Sequence, residues 1–417
     1  ENFGIGSSVT ISGNSLSFDP TNDLSEEIAY YVTLPSGVIT NMAGDSYVGT
    51  AYSFTSGRKG PYELWVWGSN YYGQMAQNQP SATKISSPVQ VPGDWYTVHA
   101  TTGTTWKFAE RTSGSLWGWG AGSGGSLAQN NEINYSSPVQ IPGTTWARAS
   151  RSEWSGKGVK TDGTLWSWGS NAYGGLGQNL PIPTQYSSPV QIGSGTDWAT
   201  GKKSLTGSSF NAMAIKTDGT LWSWGYNSYG QLGVNDTTHR SSPVQVTGTT
   251  WSQVEGQGAN TLAIKTDGTL WGWGKNAVGE LGLNNKTEYS SPTQIGSDTT
   301  WKEIAVAELQ SAAIKTDGTA WTWGANGNGE LGQNNRTNCS SPVQVGSDTT
   351  WDLISSSDTN TIATKTDGTL WTWGSNQNGY LGQNQGPSQL TATSSPVQVG
   401  SLTTWTLPLI AGGLKSS

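Results

Sequence analysis

Short stretches in which hydrophobic and polar residues alternate recur along most of the chain, and Gly, Pro, Asn or Asp separates them. In residues 262–273, two such stretches flank the dipeptide Asp267-Gly268, which is a strong signal for a β-hairpin. No segment keeps apolar residues at a 3.6-residue spacing for three helical turns. The pattern therefore predicts an all-β protein.

An internal repeat organises these stretches. The motif Trp-x-Trp-Gly occurs seven times, and a Ser-Ser-Pro segment and a further Trp follow each copy. The motif begins at Trp65, Trp117, Trp166, Trp222, Trp271, Trp321 and Trp371. About four short strands fit into one repeat, and four-stranded units repeated around an axis are the blades of a β-propeller. We therefore predict a seven-bladed β-propeller.

The two ends of the repeat region predict a closed ring. Residues 58–64 lack the half-repeat that precedes every later motif, and after Trp405 only that half is left. We predict that residues 409–417 pair beside residues 62–67. One blade would then contain both ends, and no sheet edge would be left open.

The first 57 residues differ from the repeat. Two alternating stretches around Gly13-Asn14 predict a hairpin, and residues 28–34 and 47–54 read as further strands. The segment resembles the second half of a bacterial Ig-like domain. The domain prediction is thus a partial Ig-like unit, residues 1–57, followed by the propeller, residues 58–417. We expect the missing strands upstream of residue 1, the alternative being that another chain supplies them.

Composition and charge narrow the function. The chain has 23 Trp and 57 Gly, and its net charge is −7. Six acidic residues and no Lys or Arg occur in residues 1–57, so the repeat region is close to neutral. Because nucleic-acid binding relies on a basic surface, we expect no nucleic-acid partner. No apolar stretch approaches the length of a membrane-spanning helix, so we expect no membrane insertion.

Residues for catalysis are scarce. The only His residues are His99 and His239, and Cys339 is the only Cys, so we expect no His-based triad, no metal and no cofactor. Asp residues recur in Asp-Gly pairs, where they make local turn hydrogen bonds. The Gly-x-Gly-x-x-Gly match at Gly327 has no βαβ context, and we interpret it as a repeat loop. We therefore predict a protein that is not an enzyme.

Two other patterns have competing interpretations. Asn235, Asn285 and Asn335 each begin an Asn-x-Thr triplet of the kind that can be glycosylated, and we expect all three at the same position of the repeat. Hydrogen bonds within local turns explain these Asn residues without glycans. The Trp-x-Trp pairs could stack on sugars, but Trp at fixed strand positions favours packing between blades.

The repeat units resemble those of the regulator of chromosome condensation family, most clearly in residues 214–233, Ala-Ile-Lys-Thr-Asp-Gly-Thr-Leu-Trp-Ser-Trp-Gly-Tyr-Asn-Ser-Tyr-Gly-Gln-Leu-Gly. The resemblance covers residues 58–417 and implies the propeller fold, but it says little about function. Members include an exchange factor for a small GTPase and a secreted bacterial inhibitor. Near-identical copies of this kind, coupled to an Ig-like fragment, are also similar to bacterial surface proteins and phage virion proteins.

Recognition is expected where the copies differ, because the shared positions carry the fold. Longer loops occur at residues 79–85, 180–186 and 385–393, which we expect on one rim. Trp106 and Trp154 stand outside the repeat positions; exposed, they would anchor an interface, and buried, they would fill irregular blades. The candidate binding residues are Trp106, Arg111, Trp154, Tyr186, Lys202, Lys203 and Gln389.

These observations favour a non-enzymatic structural or adhesive protein on a virion surface, of decoration or fibre type, most simply in a phage. Its expected partners are other virion or surface proteins and a host glycan or receptor. The alternatives are a secreted or cell-surface binding or inhibitor propeller of bacterial origin and, more weakly, a GTPase exchange factor. The expected location is the virion surface or the extracellular space.

Overall fold

The structure is a computed structural model of the 417-residue chain. It describes residues 62–78, 84–99, 105–182, 184–208, 210–377, 379–385 and 390–405, together with the backbone of four strands in residues 1–61. The chain divides into two compact units, Glu1–Pro61 and Tyr62–Ser417.

The first unit contains two antiparallel strand pairs. Strand β1 (Val9–Ser12) pairs with β2 (Ser15–Phe18), which confirms the hairpin predicted around Gly13-Asn14. Strand β3 (Ala29–Thr33) pairs with β4 (Ala51–Thr55). Most of residues 1–57 are not among the residues that the structure describes, so the Ig-like interpretation stays a prediction.

The described part of the second unit forms six antiparallel sheets. The first sheet has five strands: β5 (Tyr62–Ser69), β6 (Lys84–His99), β7 (Trp106–Arg111), β8 (Leu116–Gly120) and β9 (Tyr135–Gln140). The second has β10 (Trp146–Arg151), β11 (Ser155–Lys160), β12 (Leu165–Ser170) and β13 (Gln185–Gln191). The third has β14 (Leu205–Gly207), β15 (Asn211–Ile215), β16 (Leu221–Gly225) and β17 (Arg240–Gln245).

The last three sheets repeat the same order. They are β18 (Trp251–Gln257), β19 (Asn260–Lys265), β20 (Leu270–Gly274) and β21 (Tyr289–Gln294); β22 (Trp301–Val306), β23 (Gln310–Lys315), β24 (Ala320–Gly324) and β25 (Cys339–Gln344); and β26 (Trp351–Ser356), β27 (Asn360–Lys365), β28 (Leu370–Ser375) and β29 (Ala392–Gln398). The helical segments among the described residues are two single 3-10 turns, Ser123–Gly125 and Ala172–Gly174.

This architecture is a six-bladed β-propeller, and the predicted number of seven blades is wrong. Strand β6 runs without interruption from Lys84 to His99 and pairs with β5 on one side and β7 on the other. The Ser-Ser-Pro strand of the first repeat and the opening strand of the second are therefore one strand. Two repeats share the first sheet, so seven sequence copies give six sheets.

Neighbouring sheets are joined by the second Trp of the motif, except that Trp119 Nε1 donates to Gln74 O within the first sheet. The Trp168 indole Nε1 donates a hydrogen bond to Ser126 O of the preceding sheet, and Trp273 does the same to Gln231 O. Both side chains are fully buried. Each such Trp removes a large apolar area from water, which stabilises the contact between sheets. This result confirms the packing interpretation for the second Trp of the pair.

Trp67 in β5 makes the same kind of contact with the last sheet. It packs against Ile362, Leu370 and Val399, and its Nε1 donates to Tyr380 O. The first and last sheets are thus in contact. The predicted pairing of residues 409–417 lies outside the described residues.

The up-and-down order of strands gives each four-stranded sheet two distinct ends. Loops after the first and third strands lie at one end, here called the upper end. Asp-Gly turns and the connections to the next sheet lie at the lower end. The loop at residues 70–78 also belongs to the upper end, because the Asn78 amide donates to Ser136 O at the start of β9.

Candidate interaction surface

The recurrent acidic residues of the Asp-Gly pairs are occupied by their own turns. Asp267 Oδ1 accepts hydrogen bonds from the Thr269 amide and from Thr269 Oγ1, and the same pattern recurs at Asp162, Asp218, Asp317 and Asp367. The Thr hydroxyl and amide hydrogen bonds lower the pKa of the Asp267 carboxyl. The turn interpretation is confirmed.

The triplets at Asn285 and Asn335 are also turns. Asn285 Oδ1 accepts from the Thr287 amide, and Asn335 Oδ1 accepts from the Thr337 amide. Asn235 does not share their position, contrary to the expectation from the sequence. Asp236 takes that place, because it bonds Asn227 as Asn285 bonds Asn276.

Arg111, a predicted binding residue, replaces the Lys of the usual Lys-Thr-Asp-Gly turn. In the other copies this Lys lies over two indole rings, as Lys265 does over Trp251 and Trp271. The Arg111 guanidinium lies 4.1 Å from the Trp117 ring centroid and is paired with Asp94 at 3.4 Å. Its observed contacts are those of a structural cation at the lower end.

Lys202 and Lys203 form an ion cluster that joins three sheets. Lys202 Nζ lies 3.1 Å from Glu303 Oε2, and Lys203 Nζ lies 2.5 Å from Glu255 Oε2 and 3.1 Å from Glu303 Oε1. Burial alone would lower the pKa of Lys203, but the two carboxylates outweigh it and raise that pKa. The Lys203 side chain is largely buried in this cluster, whereas the Lys202 side chain remains exposed to solvent.

The two stray Trp residues have different surroundings. Trp106 is 1% exposed, and its Nε1 donates to Glu153 O. Trp154, in the β10–β11 loop at the upper end, is 36% exposed. Tyr186 is half-buried near the start of β13, the last strand of the sheet that contains Trp154. Gln389 lies outside the described residues. The predicted residues do not form one site, and their role in binding stays a prediction.

Most exposed large hydrophobic side chains in the described part of the chain lie at the upper end. They are Tyr71, Tyr72, Ile133, Trp154, Tyr173, Ile182 and Tyr229, whereas Leu402 lies at the lower end. A concentration of exposed apolar side chains at one end of a protein is typical of an interaction surface. We define the Trp154 surface as Ile133, Trp154 and Ile182, which belong to the loops of the first and second sheets. The Gln185 side chain links these loops by donating to Glu132 Oε1 at 2.6 Å.

A second upper-end feature was missed from the sequence. Four rings, defined here as the Tyr173 cluster, meet between the second and third sheets: Tyr173, Phe210, Tyr226 and His239. Phe210 occupies the loop position that Trp154 has one sheet earlier, since each backbone carbonyl faces a Gly near the end of the third strand, Gly225 or Gly169. Aligning the copies at this loop position could have revealed Phe210.

Neither a cluster of potential metal ligands nor a long apolar helix is present among the described residues. These residues contain no group of three or more His, Cys, Asp or Glu side chains placed to hold a metal ion. Within the same part of the chain, no helix has the length and apolar character needed to cross a membrane.

A ring of antiparallel sheets with an apolar loop surface at one end defines a β-propeller of the protein-interaction class. The model for the regulator of chromosome condensation (RCC1) repeat matches residues 162–200, 218–264, 267–314, 317–364 and 367–413. A second model of the same repeat matches residues 203–231 and 351–379. The chain belongs to the RCC1-repeat family.

Solved structures agree on the fold. Human WBSCR16 is 18% identical, with a TM-score of 0.71 over 82% of this chain and 94% of the other. Prp20p of Saccharomyces cerevisiae, described with its binding to Gsp1p and histones, is 15% identical, with a TM-score of 0.72 over 82% and 86%. Yeast RCC1 (Prp20) bound to Kap60 is 16% identical, with a TM-score of 0.70 over 82% and 84%. No curated protein sequence matches this chain.

Proposed function

We propose that this RCC1-repeat propeller is a non-enzymatic structural or adhesive component of a phage virion surface, of decoration or fibre type. Its Trp154 surface contacts another virion protein. The proposal is supported by the division of the chain into two units, by the nearly neutral repeat region and by the use of the recurrent carboxylates in turns.

The observation that carries the proposal is the exposure of large apolar side chains at the upper end. Ile133 is 60% exposed, Ile182 is 56% exposed and Trp154 is 36% exposed. Exposing such groups to water costs free energy that a partner can recover, and Trp is among the residues that most often dominate binding energies.

The surroundings of Trp154 explain why its ring is available. One sheet later, Tyr173 packs against Phe210, with ring centroids 5.3 Å apart. The position equivalent to Tyr173 next to Trp154 is Gly124, where a Cβ would lie 3.9 Å from Trp154 O. Since Gly124 has no side chain, it offers no ring to cover the indole.

The test is incorporation into particles. Phage particles from the source organism are purified from a strain that lacks the gene and then incubated with the purified full chain. We compare wild type, Trp154→Ala and Ile182→Ser with Leu402→Ser, a matched apolar-to-polar change at the lower end. Bound chain is quantified by mass spectrometry.

We expect wild type and Leu402→Ser to bind the particles and the two upper-end variants to bind at least about tenfold more weakly, as loss of an interface anchor predicts. Absence of the chain from wild-type particles, or equal binding by all variants, would overturn the proposal. Stimulated nucleotide release from a small GTPase would instead favour an exchange factor.

A further inference from the structure

Three departures from the repeat converge on one exposed ring. Phe210, Tyr226 and His239 all contact Tyr173, with centroid distances of 5.3, 4.8 and 5.2 Å. In the next copy, the positions equivalent to Phe210, Tyr226 and His239 hold Ala259, Lys275 and Glu288. The cluster is therefore specific to the junction of the second and third sheets, and the repeat itself does not require it.

Tyr173 is 41% exposed although three rings support it. Because the rings touch one another, the cluster has no room for a ligand between them, in contrast to the aromatic cages that enclose quaternary ammonium groups. A ligand must therefore lie on the outer surface of Tyr173. The geometry is that of a platform.

The platform is held in place before any ligand binds. The backbone of Tyr173 has φ +55°, a left-handed conformation that is unfavourable for an aromatic residue. Among the described copies of this position, only Gly124 shares a positive φ, and Tyr229, Val278 and Asn328 do not. The surrounding rings fix a strained loop, so little ordering entropy is lost on binding.

Two polar side chains beside the platform, His239 and Asp236, already have partners. The Asn227 amide donates to His239 Nδ1 at 3.0 Å, where other copies use an Asn oxygen, as at Asn338. Because Nδ1 accepts this hydrogen bond, Nε2 is the ring nitrogen that can donate to a ligand. Asp236 is neutralised by Arg240 at 2.5 Å.

We infer that the Tyr173 cluster binds a neutral hexopyranose unit of a glycan. The C–H face of a pyranose is apolar and can stack on an exposed aromatic ring, while its hydroxyls need neutral hydrogen-bonding groups. Tyr173 and Tyr226 supply hydroxyls, and His239 supplies a ring N–H. The absence of an unpaired charge among Asp236 and Arg240 favours a neutral sugar over an acidic one. This inference deepens the proposed adhesive function.

The first experiment titrates the full chain with glucose, galactose, mannose or N-acetylglucosamine, and with N-acetylneuraminate as the charged comparison. Saturation-transfer NMR detects the sugar, and ¹⁵N-histidine labelling follows the protein. The chain has only two His residues, so His239→Gln assigns both ring signals. We expect at least one neutral sugar to saturate and to shift the His239 signal.

The second experiment uses a matched pair of variants. Tyr173→Gly removes the ring and suits the left-handed backbone, as Gly124 does in its own copy. Tyr229→Gly makes the same change at the equivalent position one sheet later, where Tyr229 is 36% exposed. We expect Tyr173→Gly to weaken sugar binding about tenfold or more and Tyr229→Gly to leave it unchanged. Circular dichroism confirms that both variants fold.

Failure to saturate with any neutral sugar, binding of the acidic sugar alone, or equal binding by both variants would overturn the inference. Loss of particle binding by Tyr173→Gly without any sugar binding would also overturn it and identify the cluster as a protein contact. Sugar binding by a chain that is absent from particles would support the glycan site while rejecting the virion role.

Discussion

Lys157 is an amine buried where other copies of the repeat carry Phe108, Met213 or Leu262. Its Nζ hydrogen-bonds Ser152 Oγ at 2.5 Å and Ser155 Oγ at 2.6 Å. These two serines flank the tight turn that contains Trp154. Burial lowers the pKa of the Lys157 amine from 10.5 to about 7.

This shift makes stability depend on pH. The folded pKa lies below the unfolded pKa, so between pH 7 and about 10.5 the unfolded chain binds more protons at this site and the free energy of unfolding rises with pH. One pKa unit corresponds to about 1.4 kcal/mol, so the full effect is at most about 5 kcal/mol.

We predict that Lys157→Met removes this part of the pH dependence. Relative to wild type, the variant should be most stable near pH 7 and should lose its advantage towards pH 10, where the wild-type amine is neutral and keeps its serine hydrogen bonds. Urea unfolding at several pH values measures the difference. Lys302→Met, at an amine that is 49% exposed and paired with Asp352, is the control and should show no such trend. A pH-independent difference for Lys157→Met would contradict the prediction.

For single residues, the sequence predicted hydrogen bonds between near neighbours well and the burial of side chains poorly. The Asp267 turn was predictable because donor and acceptor are two residues apart. The burial of Trp106 was left open, because its contact with Glu153 joins two different sheets and depends on how those sheets pack.

Among the elements, the glycine-rich loop of one sheet hydrogen-bonds the Ser-Ser-Pro strand of the next sheet, a contact here called the latch. The Asn334 amide donates to Ser394 O at 2.7 Å, and Asn284 bonds Ser340 in the same way. Gly329, at φ +82°, lies directly against the Ser394 backbone. The sequence identified both segments as the boundaries of loops and strands. Their pairing joins residues some 60 positions apart, so a local sequence pattern could not predict it.

The latch gives a prediction with an internal control. A Cβ at Gly329 would lie 2.5 Å from Ser394 Cα, whereas a Cβ at Gly327 meets nothing within 4 Å. Gly329→Ala should therefore destabilise the fold by roughly 2 to 4 kcal/mol, and Gly327→Ala by less than about 0.5 kcal/mol. Chemical denaturation measures both. Similar losses would show that the loop does not pack as described; the two glycines would then act only through chain flexibility.

For the whole molecule, Trp67 joins the first sheet to the last. It is 3% exposed and packs against Ile362, Leu370 and Val399. Trp273 makes the equivalent contact between the third and fourth sheets, with its Nε1 bonded to Gln231 O. Loss of either indole removes the same kind of contact at a different place in the ring.

We predict that Trp67→Ala and Trp273→Ala each destabilise the propeller by about 3 to 5 kcal/mol, as large-to-small core changes do. Amide exchange should distinguish them. In Trp67→Ala, faster exchange should appear in β28 and β29, and in Trp273→Ala it should appear in β16 and β20. Unchanged exchange of β28 and β29 in the first variant would mean that Trp67 does not hold the ends of the ring together.

For the whole molecule, the number of blades is the feature that the sequence did not predict. Counting motifs gave seven, whereas pairing gives six sheets, because β6 continues through Pro92 and joins two repeats. The number of repeats follows from the sequence alone, whereas the number of sheets depends on which strands hydrogen-bond to each other.

The amino-acid sequence was enough to predict the all-β class, the repeat, its hairpins and the Asp-Gly turns, because each depends on alternation or on hydrogen bonds between residues a few positions apart. Packing of the strands set how they group into sheets, that Lys202 and Lys203 face carboxylates of two neighbouring sheets, and that Phe210, Tyr226 and His239 surround Tyr173. These features join residues that are distant in the chain. Packing brings such residues together, and no local pattern records it.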